Sequence, residues 1–167
     1  MRHGVSAGVR CEVLAYISLG ANLGDAQATV KAAIQAVAIL PNTRLEAVSS
    51  LYQTAPMEAS GPNYINAVIA ISTRLDMHQL LSNLISIENQ AGRERPYHNA
   101  PRTLDLDILM YGKATVNSPT LVLPHPRMWH RAFVLVPLAE IAPEVVSAEA
   151  LEAVVAQGFI RLSDVVV

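Results

Sequence analysis

Pro101-Arg102-Thr103-Leu104-Asp105-Leu106-Asp107-Ile108-Leu109 reads as a buried β-strand carrying two carboxylates two residues apart. Side chains on a strand alternate faces, so Thr103, Asp105 and Asp107 point one way while Leu104, Leu106 and Ile108 point the other. At a rise of ~3.3 Å per residue the two Asp Cα atoms lie about 7 Å apart. Two anions held that close in an apolar setting repel each other and lose hydration. A divalent metal, nearby arginines, or both must compensate.

Outward from this strand, the elements alternate. Leu14–Leu19 reads as a strand, followed by a turn, Gly20-Ala21-Asn22-Leu23-Gly24-Asp25, in which Asp25 is a candidate N-cap. Val30, Ala33, Ile34 and Val37 recur at helical spacing up to Pro41-Asn42. Leu45–Leu51 is a second strand, Thr54–Asn63 a loop, and Tyr64–Thr73 a third strand. Met77–Ala91 is a helix opened by Asp76 and closed by Gly92 as a C′ residue. Arg93–Pro101 reads as a mobile loop and Leu104–Tyr111 as the acidic strand. Thr120–Leu123 adds a short strand, Met128–Ala142 is partly helical, and Ala148–Gln157 is a C-terminal helix. The order β-α-β-β-α-β predicts an α+β, ferredoxin-like fold with an antiparallel sheet and helices packed against it.

Composition bounds the function. The 167 residues suit one domain, and at 51% hydrophobic they can build a core. We expect residues 1–12 to form a disordered tail and residues 13–167 a single domain. The net charge of −2 provides no global field for nucleic acid or anionic lipid. Between Glu88 and Arg131, six Lys/Arg stand against four Asp/Glu, so this window is +2 and the remainder −4. The cations there are mostly Arg93, Arg95, Arg102, Arg127 and Arg131, and guanidinium forks pair well with phosphate oxygens. The one cysteine, Cys11, rules out a disulfide framework and reads as a small apolar filler. With no signal peptide or membrane span legible, a cytoplasmic protein is expected. Carboxylates that could hold Mg²⁺ beside arginines that could hold phosphate are the recurring equipment of phosphoryl transfer.

Beyond the acidic strand, other segments carry a resemblance. They are Ala15-Tyr16-Ile17-Ser18-Leu19-Gly20-Ala21-Asn22-Leu23-Gly24, Ser49-Ser50-Leu51-Tyr52-Gln53-Thr54-Ala55-Pro56, Tyr64-Ile65-Asn66-Ala67, and Pro124-His125-Pro126-Arg127-Met128 through Ile141-Ala142-Pro143. Together with Pro101–Leu109, and in this order, they resemble the 6-hydroxymethyl-7,8-dihydropterin pyrophosphokinases of folate biosynthesis.

The resemblance implies a three-layer α/β/α sandwich that transfers the β,γ-diphosphate of ATP to the pterin hydroxymethyl oxygen and releases AMP. It implies two Mg²⁺ held by Asp105 and Asp107, and ATP contacts from Glu88, Arg95, Arg102, Ile108, His125 and Arg131. Arg93, Arg95, Arg102 and Asp107 are the expected catalytic residues. The pterin ring would lie between Tyr64 and Phe133, with Asn66 on its pyrimidine edge and with Thr54, Ala55, Met57 and Asp105 around it. Nucleic acid and membrane are not expected partners, and a monomer is.

The sequence also departs from the family's pattern. Asn99 stands where many relatives carry tryptophan, and Ile85, Val122 and Pro126 replace polar groups, so weaker ATP binding is expected. The rival readings are a nucleotide-binding module without turnover and a metal-dependent phosphohydrolase.

Overall fold

A computed structural model describes residues 11–56, 61–92 and 104–162. β1 (Val13–Ala21), α1 (Ala26–Ala38), β2 (Thr43–Val48), β3 (Tyr52–Thr54), β4 (Tyr64–Thr73), α2 (Met77–Ala91) and β5 (Asp105–Tyr111) follow the expected order, with the second strand in two pieces. A small hairpin of β6 (Val116–Asn117) and β7 (Val122–Leu123) comes next. Then come α3 (Ala132–Ile141), α4 (Ala148–Val155) and β8 (Ile160–Arg161). The main sheet is antiparallel in the order β5-β1-β4-β3-β8, and β2 lies on the same edge of β4 as β3.

Alternation along the strands sorts side chains into two layers. On one face, Ile17 and Leu19 of β1, Ile69 and Ile71 of β4, and Leu106 and Ile108 of β5 pack against Val30 and Ile34 of α1 and Leu80 and Leu84 of α2. On the other, Tyr16, Val68, Ala70 and Leu109 pack under Ala132, Leu135 and Leu138 of α3, with Val154 of α4 completing the cluster. The ferredoxin-like sandwich is therefore α1/α2, sheet, α3/α4. Enclosing a side chain such as Ile17 or Leu84 contributes about 1.5–3 kcal/mol each, so the two clusters supply most of the cohesion.

Local chemistry sets the helix starts. The Asp25 carboxylate accepts the Ala28 N–H at 3.1 Å. Asp76 and Gln79 form a reciprocal capping box at the start of α2.

Several boundaries differ from the sequence reading. The expected strand Leu45–Leu51 breaks at Ser49-Ser50-Leu51. There the Ser49 N–H donates to Val68 O and the Ser49 hydroxyl accepts the Val68 N–H, both at 3.0 Å, so a side chain stands in for the ladder. Gly92 closes α2 by donating to Glu88 O at 2.9 Å, but with φ −91° rather than in the left-handed region. The segment Met128–Ala142 divides into a 3-10 turn (Met128–His130) and α3, because Arg131 between them is extended. α4 stops at Val155, before a left-handed Gly158. Cys11 is exposed and so is no apolar filler. Residues 1–10 and 93–103, including most of the expected tail and the expected mobile loop, lie outside the described residues. Among the described residues no helix is long and apolar enough to cross a membrane.

Candidate active site

α3 and α4 cover one part of their face of the sheet and leave the part toward Gly20 and Asp105 open. Beyond Ala132 the strand positions facing the same way turn polar, and antiparallel register brings them together. Asp105 of β5 pairs with Gly20 of β1, Gly20 with Asn66 of β4, and Asn66 with Tyr52 of β3. Two residue pairs further along, Asp107 faces Ser18. These residues lie at the end of β1 and at the beginnings of β4 and β5, which antiparallel pairing places side by side.

The result is a cleft of about 670 Å³ floored by Ser18, Gly20, Asn66, Asp105 and Asp107. Its walls come from Thr54 at the end of β3 and Ala55 after it, from Tyr64 at the start of β4, from Leu81, Ile85 and Glu88 of α2, and from Arg127, Arg131 and Phe133 ahead of and on α3.

Each wall is held by specific contacts. The Asn66 amide donates from Nδ2 to Thr54 Oγ1 at 2.9 Å, and both residues are buried. That bond leaves the Asn66 carbonyl oxygen turned toward Gly20, where an added Cβ would meet Oδ1 at 3.0 Å. With glycine here the floor stays open between Asp105 and Asn66, and any larger residue would press on the Asn66 amide. Glu88 clamps α2 to the sheet edge by accepting the Leu106 N–H at 2.7 Å. The start of α3 is fixed from behind. Gln157 accepts the Ala132 N–H and donates to His130 O, both at 2.9 Å, so the first turn bearing Phe133 does not fray. Arg131 lies over the Phe133 ring, 5.3 Å from its centroid.

His125 joins the hairpin segment to β5 by donating its backbone N–H to Leu109 O at 2.9 Å. Its Nδ1 accepts the Arg127 N–H at 3.1 Å, so a neutral ring carries its proton on Nε2. Burial pushes the His125 imidazole below its ordinary value. The charges of Arg131 and Arg127 add to that, and Asp107 opposes it.

Of the residues singled out from sequence, Thr54, Ala55, Tyr64, Asn66, Glu88, Asp105, Asp107, Arg131 and Phe133 line this one cleft. Ile108 and His125 do not line it. The Ile108 side chain is buried in the α1/α2 core, and His125 is half-buried in the segment that leads to Arg127. Met57, Arg93, Arg95 and Arg102 lie outside the described residues. Sequence reasoning assigned no role to Ser18, Gly20 or Asn22. Their part depends on cross-strand register, and only the polar run Ser18-Leu19-Gly20-Ala21-Asn22 inside an apolar strand hinted at it. Trp129 packs against the α3 cluster.

The donor set suits a hard cation. Asp105 and Asp107 offer carboxylate oxygens on one strand face, and among the described residues no sulfur lines the cleft. Among the described residues no group of three or more His, Cys, Asp or Glu gathers. A pair of carboxylates completed by substrate oxygens and water is how Mg²⁺ is usually held, so the residues fit that ion.

Comparison with known proteins agrees with this geometry. Residues 16–143 match the family model 7,8-dihydro-6-hydroxymethylpterin-pyrophosphokinase (HPPK). A 2-amino-4-hydroxy-6-hydroxymethyldihydropteridine pyrophosphokinase of Pseudomonas aeruginosa is 45% identical over 131 residues, covering 78% of this chain and 81% of that one. A protein of the same name from Bacillus subtilis is 40% identical over 136 residues, covering 79% and 80%. Among solved structures, a Plasmodium falciparum HPPK-DHPS with pterin and p-hydroxybenzoate superposes with a TM-score of 0.66 at 15% identity. That match covers 81% of this chain and 40% of the other, so this chain spans about two fifths of that longer protein and shares its fold.

Proposed function

The chain belongs to the 7,8-dihydro-6-hydroxymethylpterin-pyrophosphokinase family, and from that premise we propose how its cleft divides between the two substrates. The activity is ATP-dependent transfer of diphosphate to the hydroxymethyl group of 6-hydroxymethyl-7,8-dihydropterin, in folate biosynthesis. The hydroxymethyl oxygen forms a bond to the β-phosphorus of ATP. The bond from that phosphorus to the α–β bridging oxygen breaks, the hydroxyl proton is lost, and AMP leaves.

The observation that carries our division is the row Asp105–Gly20–Asn66, with an open floor at Gly20. On the Asn66 side the wall is aromatic and amide-bearing. Tyr64 and Phe133 offer faces to a flat heteroaromatic ring, and Asn66 offers an amide to its pyrimidine edge. Its Nδ2–H to Thr54 fixes the amide's orientation before substrate arrives, so little ordering remains to be done on binding. Ala55 and Met57 complete this side. On the Asp107 side the groups are ionic. Asp105 and Asp107 would hold Mg²⁺, two ions in our reading, whose charge offsets that of the phosphates and orients the β-phosphorus.

Arg131, with Arg93, Arg95 and Arg102 from the segment after α2, supplies guanidinium donors to phosphate oxygens and to the bridging oxygen as charge develops there. Ile108 takes part through its backbone. Leu106 directs its N–H out of the sheet edge to Glu88, and two residues on, the strand repeats that direction. His125, neutral with its proton on Nε2, is a donor toward the nucleotide side. Glu88 sets the edge of the same strand. No described residue is an evident base for the hydroxyl proton beyond Asp107.

The test is incubation with ATP, Mg²⁺ and 6-hydroxymethyl-7,8-dihydropterin, with AMP measured in the presence and absence of the pterin. AMP formed only with pterin supports the reading. Release of ADP or phosphate would replace it with a kinase or hydrolase, and nucleotide binding without turnover would make the chain a binding module.

A further inference from the structure

Arg127 belongs to the arginine-rich window and lines the cleft, yet neither the resemblance nor the division above gives it a specific role. Its backbone is unusually well fixed for an exposed residue. The Leu109 carbonyl of β5 accepts the His125 N–H, and His125 Nδ1 accepts the Arg127 N–H. Pro126 restricts the residue between them. Arg127 is thereby tethered to the strand that carries Asp107 two residues before Leu109.

Its side chain stands out among the described arginines. Arg44 is bound to Glu12 and Glu46, and Arg161 to Glu140. Among the described residues Arg127 and Arg131 have no carboxylate partner, and neither does Arg74, which is exposed away from the cleft. An arginine held for stability alone gains by pairing with an acid, and Asp107 lines the same cleft. Two guanidinium groups left open toward a concave, charged site are arranged for an anion that comes from solution. If Asp105 and Asp107 are engaged with divalent cations, what they present to phosphate is entirely positive.

We propose that Arg127 is a nucleotide-binding residue that grips the phosphate chain of ATP together with Arg131. This rests on the diphosphate-transfer reading and adds to it a residue and a division of labour. Arg131 is partly committed to the Phe133 face, which links it to the pterin side. Arg127 makes no ring contact, so its effect should fall on the nucleotide alone.

The experiment is calorimetric titration of wild type, Arg127→Met and Arg127→Gln with Mg²⁺ and an ATP analogue whose α–β bridge is methylene, and separately with the pterin. Substrate KM values for ATP and pterin are measured alongside. Loss of a charge-assisted fork predicts analogue affinity lower by about 10-fold in both variants, with pterin affinity unchanged within twofold. The KM for ATP should rise and that for pterin should hold. Arg127→Lys should recover part of the loss. Analogue affinity within twofold of wild type in either neutral variant overturns the proposal, as does an equal loss for both ligands. Wild type that forms AMP with pterin while the variants bind the analogue normally sinks only the role of Arg127. Wild type that binds no analogue sinks the diphosphate-transfer reading with it.

Discussion

A methyl group at position 20 would meet Asn66 Oδ1 at 3.0 Å, closer than nearly all real Cβ contacts. Asn66 cannot easily retreat, because its other amide atom is committed to Thr54. Gly20→Ala should therefore turn or displace the amide. We expect the pterin KM to rise several-fold while that for ATP changes little, and steady-state kinetics on both substrates check it. Asp107 sits in a different balance. It is half-buried on the cleft floor opposite Ser18, with its backbone held by the sheet. Asp107→Ala should remove most turnover and leave thermal unfolding close to wild type; retained activity would end its assignment as a metal ligand. The two residues also differ in how visible they were. Two acids alternating with leucines announce themselves through the period of a strand. Gly20 acquires its meaning only from which residue faces it across the ladder, and nothing local encodes that.

At the scale of elements, the site depends on a tie at the far end of α3. Glu140 accepts the Ser50 N–H at 3.0 Å, the Ser50 hydroxyl at 2.8 Å, the Tyr52 hydroxyl at 2.7 Å and the Arg161 guanidinium at 3.3 Å. It thus joins α3, which carries Phe133, to β3, which carries Thr54, and to β8. Burial raises the Glu140 carboxyl, but hydrogen bonds from Tyr52 and Ser50 and the charge of Arg161 outweigh it and hold the group below its ordinary value. Burial, followed by the bond to Glu140, raises the Tyr52 hydroxyl well above its usual range. Glu140→Ala would strand the buried Tyr52 hydroxyl and the Ser50 N–H, costing on the order of 2 kcal/mol in urea denaturation at pH 7. Because the folded-state value lies below the unfolded one, the stability from ionised Glu140 is present above about pH 4.5. It is lost as acidification protonates the folded-state carboxylate. The stability gap between wild type and Glu140→Gln should therefore narrow from pH 7 to about pH 3.5; a gap that stays constant would show that ionisation of Glu140 contributes nothing. Periodicity located α1, α2 and β4 well, since long apolar repeats dominate their energetics. The break at Ser49 and the two-residue strands β6 and β8 escaped it, because side-chain hydroxyls and distant partners decide them.

For the whole molecule, the element order legible in the sequence was enough to give the layers and the sheet, because few topologies satisfy β-α-β-β-α-β with short antiparallel connections. The C-terminal layer was less legible. Its helices are placed by contacts such as Gln157 to the start of α3, which no pattern along the chain anticipates. Both substrates are expected to bind only the folded state, so each should raise the unfolding temperature. At a free concentration 100 times its dissociation constant a ligand adds about 2.7 kcal/mol. In a thermal-shift series, the Mg²⁺-dependent rise given by an ATP analogue should shrink in Asp107→Ala; an undiminished rise would place the nucleotide away from the acidic strand.

The incomplete cover that α3 gives its face of the sheet has a consequence for how this protein can change. On the α1/α2 face the core runs from Ala15 to Ala21 of β1, from Ile65 to Ile71 of β4 and over Leu106 and Ile108 of β5, and this buried layer does not include the open corner. The depth of that corner is set by where a helix begins, and each residue added to or removed from a helix end moves that boundary by about 1.5 Å. An insertion or deletion just ahead of Ala132 would resize the chamber for its guests while the buried scaffold beneath stayed as it is. Specificity can drift here without endangering the architecture.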